Sequence, residues 1–423
     1  MTQENSGSSG WNFHPARQQL IAEAHARPSQ NISGPAQILH IAFRSDDAVY
    51  KKFFEILEIN KNQAEARHLV GKINGICIKL ERHTEFMSCT AFQDNLDDQS
   101  PEDLSAMLSS AFPMDKVEVL VLIRLELLKS QRAMLKEFPF DQRIYGGRLS
   151  NGIDVRSTFS PDEFGTIHFV IHSKGLTSDE LGRRLQRLIE METYRTMALL
   201  ALPKARQVGA ELTIMEQELD KLTTKLRNGG QSSQTDDEEL FRQLTSLSER
   251  TNSLASNTRY RFSASRAYST LFHQRIMSLS EEKVGDLQTM TGFLRSRLEP
   301  AMATMESTAK RQQTLTDDLS RALVLLRTRI ELNLNKGNQA LLKSMDKRHD
   351  QQLKISQTVE GLSIIAITYY AVGLLSYLLK ALAKQPWMPL SATMLTAISV
   401  PFVLLIVWRT LHRIRLAWEE RKG

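Results

Sequence analysis

The feature that most constrains this chain is a long apolar segment near its C-terminus. From Leu362 to Leu382 the residues are apolar apart from hydroxyl side chains and one lysine. The segment has roughly the 20 residues that a helix needs to cross a bilayer core. A second apolar segment follows after a short turn. The pair predicts a transmembrane hairpin of two helices, over residues 359–383 and 389–408, with a buried pair of core helices as the alternative.

Basic residues that flank the two segments predict their orientation. The turn between them carries Lys380 and Lys384, whereas the tail over 409–423 is more basic. The basic residues of the tail are Arg409, Arg413, Arg415, Arg421 and Lys422. Such residues collect on the cytoplasmic side of a membrane, which predicts a cytoplasmic tail. A two-helix hairpin then keeps both termini in the cytoplasm, with the lipid bilayer as a partner.

Composition disfavours several other classes of protein. The formal net charge of +6 comes from interspersed acidic and basic residues. The basic block with interleaved aromatic residues that indicates nucleic-acid binding is missing. Cys77 and Cys89 lack C-x-x-C spacing, which favours neither a disulfide framework nor a zinc site and fits a reducing cytoplasm. Residues 1–13 carry no secretory pattern and, being rich in Ser and Gly, predict a disordered leader.

Residues 14–176 have the pattern of a sheet domain. Short runs rich in Ile, Val, Leu, Phe and Thr recur there, such as AQILHIAF, GICIKLERH, VEVLVLIRLELL and GTIHFVIHS. Helical patterns lie between some of them. The sequence therefore predicts an α/β or α+β domain with one sheet. The helix that follows opens on a Ser/Thr cap that Glu180 is placed to close.

Residues 177–355 are predicted to form a long helical stalk. Apolar residues follow the 3–4 spacing of a coiled-coil seam in the first part of this region. They are Leu212, Met215, Leu219, Leu222 and Leu226. A helical hairpin turn is expected near 228–237, and the rhythm resumes with residues that include Leu287. Pro300 should kink a helix or end it. The seams favour a homo-oligomer, although periodicity leaves packing within one chain equally open.

Four longer motifs resemble those of one bacterial protein family. They are AEAHARP at 22–28, LERHTEF at 80–86, RLQRLIEMETYRTMALLALPKAR at 184–206 and QTVEGLSIIAITYYAVGLL at 357–375. On these motifs the chain resembles the DUF3422 family of membrane-anchored proteins, from His14 to the second apolar segment. The resemblance implies a multi-pass protein of the bacterial inner membrane and brings no established activity with it.

The layout of the chain also resembles that of CorA-type magnesium channels. Both place an α/β domain and long helices before a C-terminal hairpin. The Gly-Met-Asn tripeptide that closes the first span of those channels has no match here, where the sequence reads LLKALAKQPW. The likeness leaves a channel open as a function and carries no magnesium selectivity, because layout alone does not define a site.

Carboxylates and imidazoles in two of the motifs form a candidate ligand site. If LERHTEF is a strand, side-chain alternation puts Glu81, His83 and Glu85 on one face. Glu23 and His25 complete a set for a divalent cation, the candidate cofactor, if their segment packs nearby. The same carboxylates can instead hold Arg27 or Arg82 in structural ion pairs. No nucleophile with a matched base, Gly-rich phosphate loop or H-E-x-x-H motif is visible, which disfavours an enzyme.

A row of residues every four positions marks the first apolar segment as a second candidate site. The row consists of Gly361, Ile365, Tyr369, Gly373 and Tyr377. Small residues and hydroxyls in such a row suit close helix packing or a wet lumen. Glu360 precedes it and would form a carboxylate ring in a symmetric oligomer. A helix-packing seam and a pore lining are both consistent with this pattern.

Two functions of different class follow from these patterns. The first is a membrane-anchored, oligomeric interaction or sensing protein whose cytoplasmic α/β domain binds a ligand or partner. The second is an oligomeric cation channel or transporter whose pore is lined by the first span. The absence of charged residues within the second span favours the first function.

Overall fold

A computed structural model describes most of the chain. It describes residues 14–17, 20–21, 29–57, 68–94, 96, 103–134, 143–150, 152–228, 234–382 and 391–419. The predicted leader lies outside this set. The chain divides into two compact units, Met1–Leu323 and Val324–Gly423.

The first unit is built on a single sheet of eight described strands. In chain order these are β1 (Ala36–Arg44), β2 (His68–Ile73), β3 (Ile76–Arg82), β4 (Met87–Gln93), β5 (Glu118–Leu127), β6 (Tyr145–Leu149), β7 (Ile153–Ser157) and β8 (Ile167–Ser173). Their spatial order is β2-β3-β4-β1-β5-β8-β7-β6. The pair β5 and β8 is parallel and the other neighbours are antiparallel. The predicted single-sheet α/β domain is confirmed.

Both faces of the sheet are covered, because strand residues alternate between two apolar cores. On β1, Leu39 and Phe43 pack on the side of helices α1 (Asp47–Ile56) and α2 (Leu104–Ala111). A one-turn helix, α3 (Gln131–Met134), follows β5. Ile38 lies in the other core, which helix α4 (Ser178–Leu199) covers. Burial on both sides explains why β1 is apolar along nearly its whole length.

Helix α4 starts where the sequence predicts. Thr177 is its N-cap, and its hydroxyl accepts a hydrogen bond from the Glu180 backbone N–H at 3.3 Å. The Glu180 carboxylate returns to the cap residue, which completes a capping box. Leu181, Leu185 and Leu188 then face the sheet and are buried.

Three long helices pack on one another within this unit. They are α5 (Leu202–Asn228), α6 (Gln234–Leu279) and α7 (Met290–Leu382), the last of which continues into the second unit. Glu218 of α5 accepts from Arg250 of α6 at 2.9 Å, and Thr258 of α6 donates to Gln312 of α7 at 3.2 Å. Residues 229–233 of the predicted turn lie outside the described residues.

The apolar seam of the predicted stalk is buried by helices of the same chain. Leu212 and Leu222 of α5, Leu244 of α6 and Leu319 of α7 are all at most 4% exposed. The open question of packing within or between chains is therefore answered for this stretch. It is an intramolecular bundle, and it gives no support to an oligomer.

Two details of the predicted stalk are corrected by the structure. Leu287 lies in the loop between α6 and α7, because α6 ends at Leu279 and Ser280, directly after it, has a φ of 48°. Pro300 lies inside α7 and does not end it. Its ring is exposed while Leu298 and Ala301 beside it are buried. Packing of those neighbours maintains the helix although Pro300 lacks an N–H.

The loop between α6 and α7 adds to the edge of the sheet at β6. The backbone N–H of Arg148 donates to the Glu282 carbonyl at 2.9 Å, and the N–H of Glu282 donates to the Arg148 carbonyl at 2.7 Å. Gly146 donates to the carbonyl of Gln288 at 3.0 Å. This pairing covers a strand edge that would otherwise present free backbone groups.

The second unit contains the rest of α7 and helix α8 (Ala392–Glu419). Each helix has an apolar window with a mean hydropathy of 1.9. Almost none of either window is buried. Both helices are thus long and apolar enough to cross a membrane, whereas the predicted turn at 383–390 lies outside the described residues.

Candidate functional site

A small cavity lined by both polar and apolar residues lies between the sheet and helix α4. Strands β1, β3 and β4 form its floor, and α4 covers it. Its polar lining includes His40, Lys79, Glu81, Ser88, Thr90 and Thr193. Its volume of about 30 Å³ has room for ordered water or a small ion.

Strand register brings these polar residues together. Glu81 of β3 lies opposite His68 of β2 and Ser88 of β4. The adjacent row pairs Thr90 of β4 with both Lys79 of β3 and His40 of β1. Because side chains alternate along a strand, all of these residues share the face toward α4.

His40 is held as a neutral imidazole between two threonines. Its Nδ1 lies 2.8 Å from Thr90 Oγ1, and its Nε2 lies 3.2 Å from Thr193 Oγ1. The pKa of His40 is lowered to about 3, mainly by burial; nearby Glu81 opposes this shift, whereas His83 and Lys79 add to it. A neutral ring offers one donor and one acceptor, which two hydroxyl groups can match.

Glu81 is held as a buried carboxylate. Its Oε1 lies 3.3 Å from Lys79 Nζ and 3.2 Å from His68 Nδ1. Burial raises the pKa of Glu81, but the His68 imidazole and the Lys79 charge lower it more, to about 2. The site therefore contains a fixed negative charge beside a fixed positive one.

The Ser88 hydroxyl has no hydrogen-bond partner among the described residues, and His68 lies beside Glu81 without a well-aligned one. Ser88 is 1% exposed, and its Oγ faces the cavity unpaired. Neither ring nitrogen of buried His68 makes a well-aligned hydrogen bond, although Nδ1 is at ion-pair distance from Glu81. Buried polar groups are nearly always satisfied by protein or water. The cavity therefore offers polar atoms to an additional molecule.

The condition that LERHTEF forms one strand is met only as far as Arg82. Strand β3 ends there, and the next residues form a turn closed by a hydrogen bond from the His83 N–H to the Phe86 carbonyl at 2.9 Å. His83 stacks on Phe86 with ring centroids 4.2 Å apart and lines the cavity. The turn directs Glu85 away, so strand alternation does not group it with Glu81.

Glu85 makes a buried ion pair with helix α6. Its two oxygens accept from Arg261 Nη1 at 2.9 Å and Nη2 at 3.0 Å. Burial raises the pKa of Tyr268, and the neighbouring Glu85 carboxylate raises it further. The predicted alternative of a structural ion pair is thus realised at Glu85. Its partner comes from α6, whereas Arg82 pairs with Asp47 at 2.8 Å.

Glu23 and His25 lie outside the described residues, but the chain just after them reaches the cavity. Gln30 lines it, and the Ile32 N–H donates to the Ser178 carbonyl at 3.1 Å. A Cβ on Gly182 of α4 would lie 1.8 Å from the Gln30 carbonyl oxygen, so only glycine permits this approach. Within the described chain, no three His, Cys, Asp or Glu side chains are arranged to hold a metal ion.

The predicted row on the first apolar segment lies along an open groove. Ile365, Tyr369, Gly373 and Tyr377 line it together with Thr396 of α8. The groove has a volume of about 610 Å³. Gly361 is exposed outside the groove, and Glu360 is half-buried.

Sequence reasoning missed most of the polar floor of the cavity. His40, Lys79, Ser88 and Thr193 were not singled out, although a signal exists for two of them. His40 interrupts the apolar run AQILHIAF, and Lys79 stands between Ile78 and Leu80. A polar residue inside a run buried on both faces requires a partner, and the partner is supplied by neighbouring strands.

The fold and its cavity define the class of protein: an α/β domain with an intramolecular helical bundle, followed by two helices apolar enough to span a membrane. Residues 12–418 match the family model described as a protein of unknown function, DUF3422. The chain therefore belongs to the DUF3422 family. Comparison with curated proteins gives no match.

Proposed function

We propose that this chain is a membrane-anchored sensing protein whose α/β domain binds a small polar ligand in the cavity beneath α4. Helices α7 and α8 supply the anchor in the bacterial inner membrane. The basic tail supports a cytoplasmic location for both termini. Binding in the α/β domain and anchoring by α7 and α8 are separate properties, and each can be tested alone.

The observation that carries this proposal is the unpaired Ser88 hydroxyl beside the ionised Glu81. A cavity kept only for stability would gain from apolar residues, because an unpaired buried hydroxyl costs about 1–3 kcal/mol. Retention of Ser88, Glu81 and Lys79 around one void is typical of a binding site that sacrifices stability for recognition.

A divalent cation is the first ligand to test. Glu81 supplies an ionised carboxylate, and His83 lines the same cavity. Glu23 and His25 are proposed to complete the coordination, since Gln30 shortly after them lines the cavity as well. Glu85 contributes only if it leaves Arg261. Oxygen and imidazole ligands together suit Mn²⁺, Co²⁺, Ni²⁺ or Zn²⁺ better than Mg²⁺.

The experiment is a thermal unfolding series on the purified full-length chain with Mg²⁺, Mn²⁺, Co²⁺, Ni²⁺ and Zn²⁺. A cation that binds the folded state stabilises it by about 2.7 kcal/mol at 100 times its Kd. We expect this stabilisation for wild type and for the exposed control Glu331→Gln. Glu81→Gln and His25→Ala should lose it.

Each outcome decides a specific part of the proposal. Stabilisation that survives both Glu81→Gln and His25→Ala would place the cation elsewhere and contradict the site. If no cation stabilises wild type, the cation assignment fails. In that case native mass spectrometry of the freshly purified chain tests the broader proposal, and an empty protein would contradict ligand binding in the cavity.

A channel is the second candidate function, because one observation favours it. Tyr369 and Tyr377 are 75% and 73% exposed along the groove. Phenol groups at membrane depth are better placed against protein or water than against acyl chains. In an oligomer this row and Glu360 would line the cation path.

Flux into liposomes distinguishes the two functions. Mg²⁺, Co²⁺, Ni²⁺ and K⁺ are presented to liposomes that carry wild type, Glu360→Ala or Tyr369→Phe. Selective flux that these substitutions alter would establish a channel. Absence of flux from inserted, folded protein would leave α7 and α8 as an anchor and contradict the second candidate.

A further inference from the structure

A long stretch of helix α7 is exposed on all sides. Every residue over 331–359 is exposed, and Leu341, Met345 and Ile355 are 61%, 58% and 66% exposed. Upstream on the same helix, Leu326 is completely buried. From residue 331 to 359, the described residues of this chain therefore leave α7 uncovered. A single helix that exposes large apolar side chains gains little stability in water and favours association.

Most of the exposed apolar side chains form one stripe along α7, whereas Leu332, Leu342 and Leu353 lie off it. Leu334, Leu341, Met345, Ile355, Val359 and Leu362 all fall on positions that alternate by four and three residues. This is the spacing of a seam between two helices that pack side by side. We call these positions, and those that continue the same spacing, the α7 stripe.

We infer that the α7 stripe packs against the same stripe of a second copy of the chain, parallel and in register. This inference rests on the membrane anchoring in the proposed function. Two chains anchored by the same helix in the same membrane point the same way and sit at the same depth. Identical residues then meet without any further adjustment of register.

The stripe continues into the apolar segment of α7 with residues suited to helix contact. Ala366, Tyr369 and Gly373 follow Leu362 at spacings of four, three and four, and all three are exposed. Small residues let two backbones approach closely in a membrane. The Tyr369 hydroxyl would find a polar partner at such an interface, which acyl chains cannot supply.

Charge along α7 is compatible with a second copy. The lysines Lys343, Lys347 and Lys354 lie off the stripe, and the neighbouring positions Ser344 and Gln351 are uncharged. These lysines are therefore kept apart from their copies when identical helices meet in register, and Arg348 is the exception on the stripe.

Three polar residues, Asn338, Arg348 and Gln352, interrupt the stripe, and the first two differ in their expected effect. Asn338 occupies a position where a paired asparagine favours one register at some cost in stability. Arg348 would bring two like charges together, so this layer weakens the contact. Replacing Arg348 by Leu is accordingly expected to strengthen association.

The test is disulfide cross-linking of the full-length chain in membranes. Cys77 is replaced by Ser, whereas Cys89 is retained because burial raises the pKa of its thiol to about 12 and leaves it unreactive. Single cysteines are then introduced on the stripe with Leu341→Cys, Met345→Cys and Ile355→Cys.

Matched controls lie on the outer face of the same stretch of helix. They are Lys343→Cys, Lys347→Cys and Lys354→Cys. These three positions are exposed, as are the three stripe positions. A disulfide needs Cα atoms within about 7 Å, so the stripe variants should give about tenfold more cross-linked dimer than the controls. Arg348→Leu added to Met345→Cys should increase the dimer further.

Equal cross-linking of both sets, or none on the stripe, would overturn the inference. Carbonate extraction of the same membranes reports separately on anchoring. A chain that is extracted as a soluble protein contradicts the anchor in the proposed function. An inserted chain whose stripe cysteines do not cross-link contradicts the second-copy contact alone.

Discussion

At the scale of single residues, the cavity depends on the ionisation states that burial imposes. His40 is fully buried with two hydroxyl partners, so its neutral form is the one that fits. Glu81 is kept ionised by its cationic and imidazole neighbours. These two groups give the folded state an acid sensitivity that exposed residues would not.

His40 should make the free energy of unfolding depend on pH between neutrality and mild acid. Its pKa is about 3 in the folded chain and about 6.5 when unfolded, so below pH 6.5 the unfolded state binds a proton that the folded state excludes. Stability is therefore lost as pH falls from 6.5 toward 3. Glu81 adds to this loss from about pH 4.5 toward 2, as its folded pKa is also lowered.

The variant His40→Gln isolates this effect. Between pH 7 and pH 5 it should lose about 2 kcal/mol less stability than wild type, because the titrating group is gone. Thermal unfolding followed by circular dichroism at each pH measures the difference. The exposed His349 provides the matched control, His349→Gln. A pH profile for His40→Gln that parallels wild type would contradict the buried neutral imidazole.

Removal of either partner of the Glu85–Arg261 pair should strongly destabilise the folded chain. Both side chains are largely buried, so Glu85→Ala leaves an uncompensated guanidinium at a cost of about 3 kcal/mol. The double variant with Arg261→Ala should cost less than the sum of the single ones. Chemical unfolding of the four proteins measures the coupling, and additive costs would count against it.

The exposed pair Arg327–Glu331 serves as the comparison for the Glu85–Arg261 double-mutant experiment. It spans one turn of α7, and both side chains are more than half exposed. Such pairs contribute about 0.3–0.5 kcal/mol. Glu331→Ala should therefore change stability by much less than Glu85→Ala.

Sequence reasoning singled out Glu81 as a candidate site residue but could not place its neighbours. Alternation predicted its face correctly because β3 extends through Glu81. The partner His68 comes from β2 and Ser88 from β4, and strand register sets both contacts. The link from Glu85 to Arg261 spans 176 residues, a separation at which local patterns carry no information.

At the scale of elements, the loop between α6 and α7 joins the helical bundle to the sheet. Glu281 in this loop caps α7, since its two oxygens accept from the N–H groups of Met290 at 2.8 Å and Thr291 at 2.7 Å. The same loop pairs with β6 through Glu282. One short segment thus fixes both a helix start and a sheet edge.

Gly147 should be essential for this docking. A Cβ there would lie 2.5 Å from the Glu282 carbonyl oxygen and 2.8 Å from the Glu281 side chain. We expect Gly147→Ala to destabilise the chain by about 2 kcal/mol, in the range of overpacking in a tight interior. Hydrogen exchange should quicken at the amides of Arg148 and Glu282 in particular, since those two hydrogen bonds would open.

A glycine elsewhere in the chain offers the opposite expectation. Gly337 lies inside α7 with no atom near the position of an added Cβ. Gly337→Ala should stabilise the helix by about 1 kcal/mol through propensity alone. The structure gives a Cβ room at Gly337 and none at Gly147. Loss of stability in Gly337→Ala, or unchanged stability in Gly147→Ala, would contradict this difference.

Element types were easier to predict from the sequence than element ends. The capping box at Thr177 is a local signal and was found at its exact place. The run GICIKLERH ended within one residue of the end of β3 at Arg82, but the turn closed by the His83 and Phe86 backbone has no Gly or Pro to mark it, so the direction of Glu85 was left open. Pro300 was misleading as a stop signal, since packing on both sides of it outweighs its lost hydrogen bond.

At the scale of the whole molecule, the hydrophobic pattern predicted which segments form strands and helices but not which of them pack together. Apolar alternation indicated one sheet, and heptad spacing indicated long helices. Neither pattern contains the strand order, with its parallel contact between β5 and β8, because order depends on connections across many residues. The same limit applied to the bundle, whose seam looked equally suited to a second chain.

The pairing of β6 with the loop after α6 has a consequence for synthesis of the protein. Arg148 leaves the ribosome about 130 residues before its backbone partner Glu282, which corresponds to roughly ten seconds of translation. Throughout that interval the nascent chain carries an unprotected strand edge. A strand of a neighbouring nascent chain on the same messenger RNA could pair with this edge. Chaperone dependence of this protein should accordingly be greatest while α4, α5 and α6 are being made, before the loop arrives to close the sheet.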